Sequence, residues 1–317
     1  MEPIIEPISL DLIKAELTPA KKLRNTNKSN NEIYVINHHD SPNVMKEIGR
    51  LREEAFRDSG GGSGLSMDID EFDTMENPYQ QLIVWDPDAQ KILGGYRYIL
   101  GTDIKLDENG QPLLATSHMF HFTEKFVKEY LPYTIELGRS FVTPEYQSSK
   151  AGTKALFALD NLWDGIGGLV ASDPNVKYLS GKVTIYSSSP ELSRKAMVYY
   201  LDKHFGDREG LITSKNPERW TEEQAEMFEE MFTGANYKEN YQILNNYVKS
   251  MGDTIPPLIH SYIGLSPTMK TFGTTFDPDF GDCYDTAMII TLADIYQDKY
   301  DRYVNSYFEQ EYRLSED

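Results

Sequence analysis

The stretch TIELGRSFVTPEYQSSKAGTKALFALD, residues 134–160, decides how the rest of the chain is read. Its first nine residues read as a buried strand, yet Glu136 and Arg139 stand in the middle of it, three apart, with Gly138 between them. In a regular strand, residues three apart point to opposite faces, so an acid and a base that belong together would be separated by the sheet. A bulge near Gly138 removes that conflict. Bulges bend a strand, re-aim a side chain and are frequent beside active sites. The stretch therefore predicts a bulged strand, a loop and then a helix over KALFALDNLWDGIGGLVAS.

Outward from this stretch the chain alternates strands and helices. NEIYVINHHD reads as a first strand and SPNVMKEIGRLREEAFRDSG as a helix, with Ser41 as N-cap, Pro42 in the first turn and Gly60 ending the run. Val44, Ile48, Leu51 and Ala55 recur at helical spacing and form its core face, while Arg52 and Phe56, four apart, share an adjacent face. GGGSG (60–64) has almost no packing side chains and predicts a mobile loop leading into DIDEFD (68–73). QQLIVWD and KILGGYRYILG read as an antiparallel hairpin. Beyond residue 160, YLSGKVTIYS reads as a strand and PELSRKAMVYYLDKHF as a helix. Two acidic amphipathic helices then resemble an insertion near 206–252, before two strands and a closing helix. Residues 1–30 read as an arm on the surface and 31–317 as a single α/β domain.

Composition narrows the function. A chain of 317 residues with 39% hydrophobic and 12% aromatic content can bury a sizeable core. No apolar run is long enough to cross a bilayer and the N-terminal residues lack the order of a signal peptide, which predicts a cytoplasmic protein. Cys283 is the only cysteine, and the six histidines fall in no metal-binding spacing, so no metal site is expected. A net charge of −19 argues against nucleic acid as a partner. Basic residues cluster in KKLRNTNK (21–28) and between Arg139 and Lys154.

An ordered set of residues carries a resemblance. Arg52 and Phe56 on the first helix, Asp70 and Asp73 in the loop after it, Arg97 in the third strand, and Glu136 with Arg139 in the fourth follow one another as in the GNAT acyltransferases. The chain most resembles the branch containing acyl-homoserine-lactone synthases and the N-acyltransferases of ornithine and glycine lipids. The resemblance spans residues 31–205. It implies a GNAT-like α/β fold, and an enzyme that moves a long-chain acyl group from a thioester to an amine. Taken singly, each of these acids and arginines is more often part of a structural ion pair than a catalyst.

The chemistry such a reaction needs can be placed on these residues. An amine must lose its proton before it attacks a thioester, and Glu136 is the candidate base. Backbone N–H groups around Phe141 and Val142, freed by the bulge, can stabilise the oxygen that gains negative charge. Arg139, Arg52 and Arg97 can hold Asp70, Asp73 and Glu136 in place or grip a substrate carboxylate. Tyr200, within A-x-x-x-Y, matches the position from which members of the superfamily protonate the leaving thiolate. In QSSKAG, Gln147 and Gly152 match the family's phosphate-binding loop, but Lys150 replaces its first glycine. A bulky residue there fits a donor with one phosphate, the phosphopantetheine arm of acyl carrier protein, better than the pyrophosphate of acyl-CoA. Lys150 and Lys154 would meet that acidic partner. The resemblance thus implies acyl carrier protein as partner, a small amino acid such as glycine or ornithine as acceptor, and contact with the membrane surface as a further expectation. The alternatives are an acyl-homoserine-lactone synthase, an acetyl-CoA-dependent N-acetyltransferase and a non-catalytic binding module.

Overall fold

The computed structural model describes residues 1–147 and 153–316, without the side chains of 153–156 and 313–316. In chain order it contains helix α1 (Leu10–Glu16), strands β1 (Lys22–Asn25) and β2 (Glu32–Ile36), helices α2 (Pro42–Asp58) and α3 (Glu71–Thr74), and strands β3 (Gln80–Asp86) and β4 (Lys91–Leu100). Strands β5 (Phe120–Phe122) and β6 (Thr134–Val142), helices α4 (Pro144–Gln147) and α5 (Thr153–Ser172), strand β7 (Tyr178–Ile185) and helix α6 (Glu191–Phe205) follow. Strand β8 (Ile212–Ser214) precedes helices α7 (Glu222–Met231), α8 (Tyr237–Ser250) and α9 (Pro257–Ile263). Strands β9 (Lys270–Asp277) and β10 (Cys283–Thr291) lead into α10 (Gln297–Tyr300) and α11 (Ser306–Glu316). The chain is a mixed α/β protein, as expected, and α7 and α8 stand where the insertion was placed. It divides into two compact units: Met1–Asp103 with Tyr133–Lys177 and Tyr296–Asp317, and Ile104–Pro132 with Tyr178–Ile295.

In the first unit the strands run β1-β2-β3-β4-β6, each antiparallel to its neighbour. The expected arm therefore contributes a strand, because Lys22–Asn25 pairs with β2. Register fixes which residues share a face. Gln81 pairs with Arg97, and Arg97 with Gly138, so one row crosses three strands on the side of α2. On the opposite side Leu82 packs on α5, where Gly165 leaves room for it; a Cβ there would lie 2.7 Å from a Leu82 methyl.

Helix α2 begins after Ser41, as predicted, but the serine hydroxyl does not cap it. The cap comes from Glu16, whose carboxylate accepts from the main-chain N–H of Asn43 at 2.9 Å and of Val44 at 2.8 Å. A carboxylate at a helix N-terminus meets both the free N–H groups and the positive end of the dipole. In the second unit β7, β10 and β9 form an antiparallel sheet, β5 pairs with β8, and α6 packs on β9.

Candidate active site

The predicted bulge near Gly138 is present. Gly95 pairs with Phe141 and Arg97 with Gly138, so Arg139 and Ser140 together oppose Tyr96. The left-handed residue is not Gly138 but Arg139, at φ 47°. Glu136 pairs with Ile99, two residues beyond Arg97, and so lies on the face of Arg97. The bulge returns Arg139 to that same face, where its guanidinium meets Asp68 at 2.9 Å and Asp70 at 3.6 Å. Glu136 is buried. The acid and the base three apart are thus on one side of the sheet.

The two aspartates three apart have a local reason for their spacing. They form a capping box around the single turn of α3: Asp70 accepts from the N–H of Phe72 and Asp73, and Asp73 accepts from the N–H of Asp70. Each keeps carboxylate capacity for an arginine. Arg97 donates to Asp70 at 2.7 Å and to Asp73 at 3.3 Å, with its guanidinium 5.0 Å from the centre of the Tyr79 ring. Arg52 is fully buried and donates to Asp73 at 3.2 Å and to Gln81, which in turn donates to Asp73 at 2.9 Å. The chain of contacts runs Gln81, Arg52, Asp73, Arg97, Asp70, Arg139, Asp68, alternating in sign beyond Gln81.

Burial opposes the charges of Asp73, Arg97 and Arg52, and pairing outweighs it for the first two. Burial pushes the Asp73 carboxyl up, but the Arg52 and Arg97 guanidiniums outweigh it and hold the group well below the usual carboxylate range. Burial pulls Arg97 down, and Asp73 and Asp70 outweigh it, so Arg97 holds its proton more tightly than usual. Arg52 is held below the ordinary arginine value by complete burial, which Asp73 and Asp68 offset only in part.

Phe56 is buried one turn beyond Arg52, and its carbonyl accepts from Gly61 at 2.8 Å. Phe141 is buried against Gly95, where a Cβ would lie 3.0 Å from its ring and 2.7 Å from the Leu82 carbonyl; Val142 is half-buried. Gln147 is exposed and donates to the Val142 carbonyl at 2.6 Å. Lys150 and Gly152 lie outside the described residues, as does the Lys154 side chain. Tyr200 belongs to the second unit. It is fully buried among aromatic rings and donates to the main-chain carbonyl of Tyr237 at 2.9 Å, a packing role that a proton donor would have to leave. Also in that unit, His118, Asp277 and Asp279 hold their donor atoms close enough for a metal ion, and the Lys182 ammonium lies 3.5 Å from Asp277.

The sequence reading missed Gln81, Asp68 and Glu53. Gln81 was visible as a polar residue inside an apolar strand, and Asp68 as the first of the four acids of DIDEFD. Glu53 looked like one of many solvated helix acids. It is fully buried.

Residues 51–156 match the family described as an acetyltransferase (GNAT) domain. A glycine N(alpha)-acyltransferase of Bacteroides thetaiotaomicron is 57% identical over 309 residues, covering 98% of this chain and 91% of that protein. One of the same description from Phocaeicola vulgatus is 57% identical over 310 residues, covering 98% and 95%. The chain belongs to their family of GNAT acyltransferases. It is an N-acyltransferase acting on an amine. Among solved structures, a CoA-dependent acyl-homoserine lactone synthase with SAM and isopentyl-CoA matches 53% of this chain and 72% of its own, at 15% identity and a TM-score of 0.30. No helix among the described residues is long and apolar enough to cross a membrane.

Proposed function

We propose that the protein transfers a long-chain acyl group from acyl carrier protein to the amine of glycine, giving an N-acylglycine that can enter an aminolipid. The observation that carries the acceptor is the 57% identity, over nearly the whole chain, to two relatives described as glycine N(alpha)-acyltransferases. The arrangement around β6 supports the chemistry. Glu136, buried on the face of Arg97, takes the proton from the glycine ammonium. The amine nitrogen attacks the thioester carbonyl, the C–N bond forms and the C–S bond breaks. Of the two protons the ammonium sheds on becoming an amide nitrogen, one leaves to solvent and the other, relayed by Glu136, reaches the departing thiolate, so the products are the N-acylglycine, the thiol and one proton. Main-chain N–H groups around Phe141 and Val142 face the oxygen that becomes negative.

Arg52, Arg97 and Arg139 are matched by Asp68, Asp70 and Asp73. A cluster so balanced holds its own side chains in fixed geometry, and a small zwitterion brings no net charge to disturb it. The donor preference rests on Lys150 in place of the first glycine of the phosphate loop, and Lys150 with Lys154 are the proposed docking cations for the acidic carrier. The test supplies purified protein with palmitoyl carrier protein or palmitoyl-CoA, and with glycine, ornithine or S-adenosylmethionine, and records thiol release. Glycine-dependent release from the carrier is the expected result. Release that requires S-adenosylmethionine, or equal use of palmitoyl-CoA, overturns the proposal.

A further inference from the structure

The glycine-rich loop is not left loose, and its tether is a buried acid with no part in the chemistry above. Glu53 is fully buried on α2, next to Arg52. One of its oxygens accepts from the N–H of Gly64 at 2.8 Å and from Arg57 at 2.6 Å. The other accepts from the N–H of Ser63 at 3.0 Å and its hydroxyl at 2.8 Å. Gly60, Gly62 and Gly64 take left-handed backbone, at φ 91°, 99° and 76°, which lets the loop curl over this carboxylate. A Cβ on Gly62 would lie 3.1 Å from a Glu53 oxygen. Burial opposes the charge, but Arg57, Ser63 and Gly64 outweigh it and hold the carboxyl below its ordinary range.

From outside, Arg57 donates to the carbonyls of Glu2 at 2.7 Å and Leu65 at 2.5 Å, and Glu2 pairs with Gly64 at 2.8 Å. Four residues beyond Gly64 the chain reaches Asp68, whose N–H donates to the Gly49 carbonyl at 2.9 Å. Gly49 is required there, since a Cβ would lie 2.6 Å from Ile69. The loop is thus anchored on α2 by Glu53 at its apex, by Arg57 through the Leu65 carbonyl, and by Gly49 at its exit. Its exit carries Asp68 and Asp70, the partners of Arg139 and Arg97.

We infer that Glu53 is a positioning residue for the amine acceptor, acting through Ser63 and Gly64 on Asp68 and Asp70. A mobile loop, as the composition of GGGSG predicts, is the opposite expectation, and the buried carboxylate with its four donors is the reason to set it aside. The inference rests on the functional reading for its kinetic part only. With glycine and palmitoyl carrier protein, Glu53→Ala should raise the KM for glycine about tenfold while kcat and the KM for the carrier stay within about threefold. Ser63→Ala, which leaves α2 untouched, should move the glycine KM the same way by about threefold. Glu53→Gln, which keeps an acceptor for Gly64, should recover part of the loss. Amide exchange over 63–70 should accelerate in Glu53→Ala and not over α5. A glycine KM unchanged in both alanine variants, or one that rises in step with the carrier KM, overturns the inference. A parent with no glycine-dependent release fails the functional reading instead, and unchanged exchange over 63–70 would then refute the positioning role by itself.

Discussion

Asp73→Asn removes the charge at the centre of the buried cluster while keeping its volume. Asp73 is fully buried and meets Arg52, Arg97, Gln81 and the N–H of Asp70. All four are donors. An asparagine offers one acceptor oxygen and turns an NH2 group toward donors on its other side, so at least one contact becomes donor against donor. The three arginines would then face two aspartates, leaving one buried positive charge in excess. Breaking a buried pair from one side costs roughly 3–5 kcal/mol, against a total stability of about 5–15 kcal/mol. At roughly 2–4 °C per kcal/mol, the unit containing Asp73 should lose about 10 °C in Tm.

The stability that Asp73 contributes depends on pH. The folded carboxyl lies below its unfolded value of 3.8, so its contribution is present above that value and is lost as pH falls through the folded one. Urea unfolding of the parent and of Asp73→Asn should differ most near neutral pH and converge toward acid. A double-mutant cycle with Arg52→Met should return a coupling of about 1–3 kcal/mol. A loss under about 1 kcal/mol at neutral pH, or a gap that widens toward acid, would show that the cluster does not depend on this charge.

Under the proposed mechanism Glu136→Gln lowers kcat by about two to four powers of ten with the fold retained by circular dichroism; a change within about threefold rejects Glu136 as base. Tyr200→Phe should cost about 1 kcal/mol through loss of its hydrogen bond to the Tyr237 carbonyl, with kcat nearly unchanged, whereas a hundredfold or so fall in kcat would restore the tyrosine to the chemistry. Asp164 titrates with the opposite sign to Asp73: burial pushes its carboxyl up to about 6 against the opposing Asn27 and Arg24. Its contribution is full below 3.8 and lost as pH rises through about 6, so this group should favour the fold by about 1 kcal/mol more at pH 5 than at pH 7. Denaturant titrations that show no such difference between the parent and Asp164→Asn would count against it.

What the sequence made legible follows from the range of the interactions. The start of α2 could be read from Ser41 and Pro42, because helix punctuation is local. Its cap could not, because Glu16 lies 27 residues before Asn43. The spacing of Asp70 and Asp73 was noticed as a family mark, while its cause is a capping box that only a turn beginning at Glu71 reveals. Composition predicts a mobile loop at GGGSG, and composition says nothing of a carboxylate on a neighbouring helix. Gln81 carries no such mark, because two of its partners, Arg52 and Asp73, come together only when α2, α3 and β3 pack. The ordered set around β6 was readable because strand register places alternate residues on one face, and a glycine beside a charged pair hints that the register shifts.

The shift itself leaves a question that stability can answer. Gly138 stands beside the bulge, yet the left-handed residue is Arg139 at φ 47°. A non-glycine side chain in that conformation costs roughly 1–2 kcal/mol. The cost persists because a regular strand would turn Arg139 away from Asp68 and Asp70, leaving Asp68 buried without its partner. Two truncations separate the strain from the pairing. Arg139→Ala loses the guanidinium and keeps the strain; Arg139→Gly loses the guanidinium and relieves it. Both should be less stable than the parent by several kcal/mol, on the order of 3–5. Arg139→Gly should nevertheless be the more stable of the two by about 1 kcal/mol, the reverse of the order expected at an ordinary strand position, where glycine costs more than alanine. Chemical denaturation of the two variants side by side measures that difference. An alanine variant as stable as the glycine one, or more so, would mean that the bulge relaxes once the arginine is gone, and that the ion pairs with Asp68 and Asp70 hold the chain in its left-handed turn.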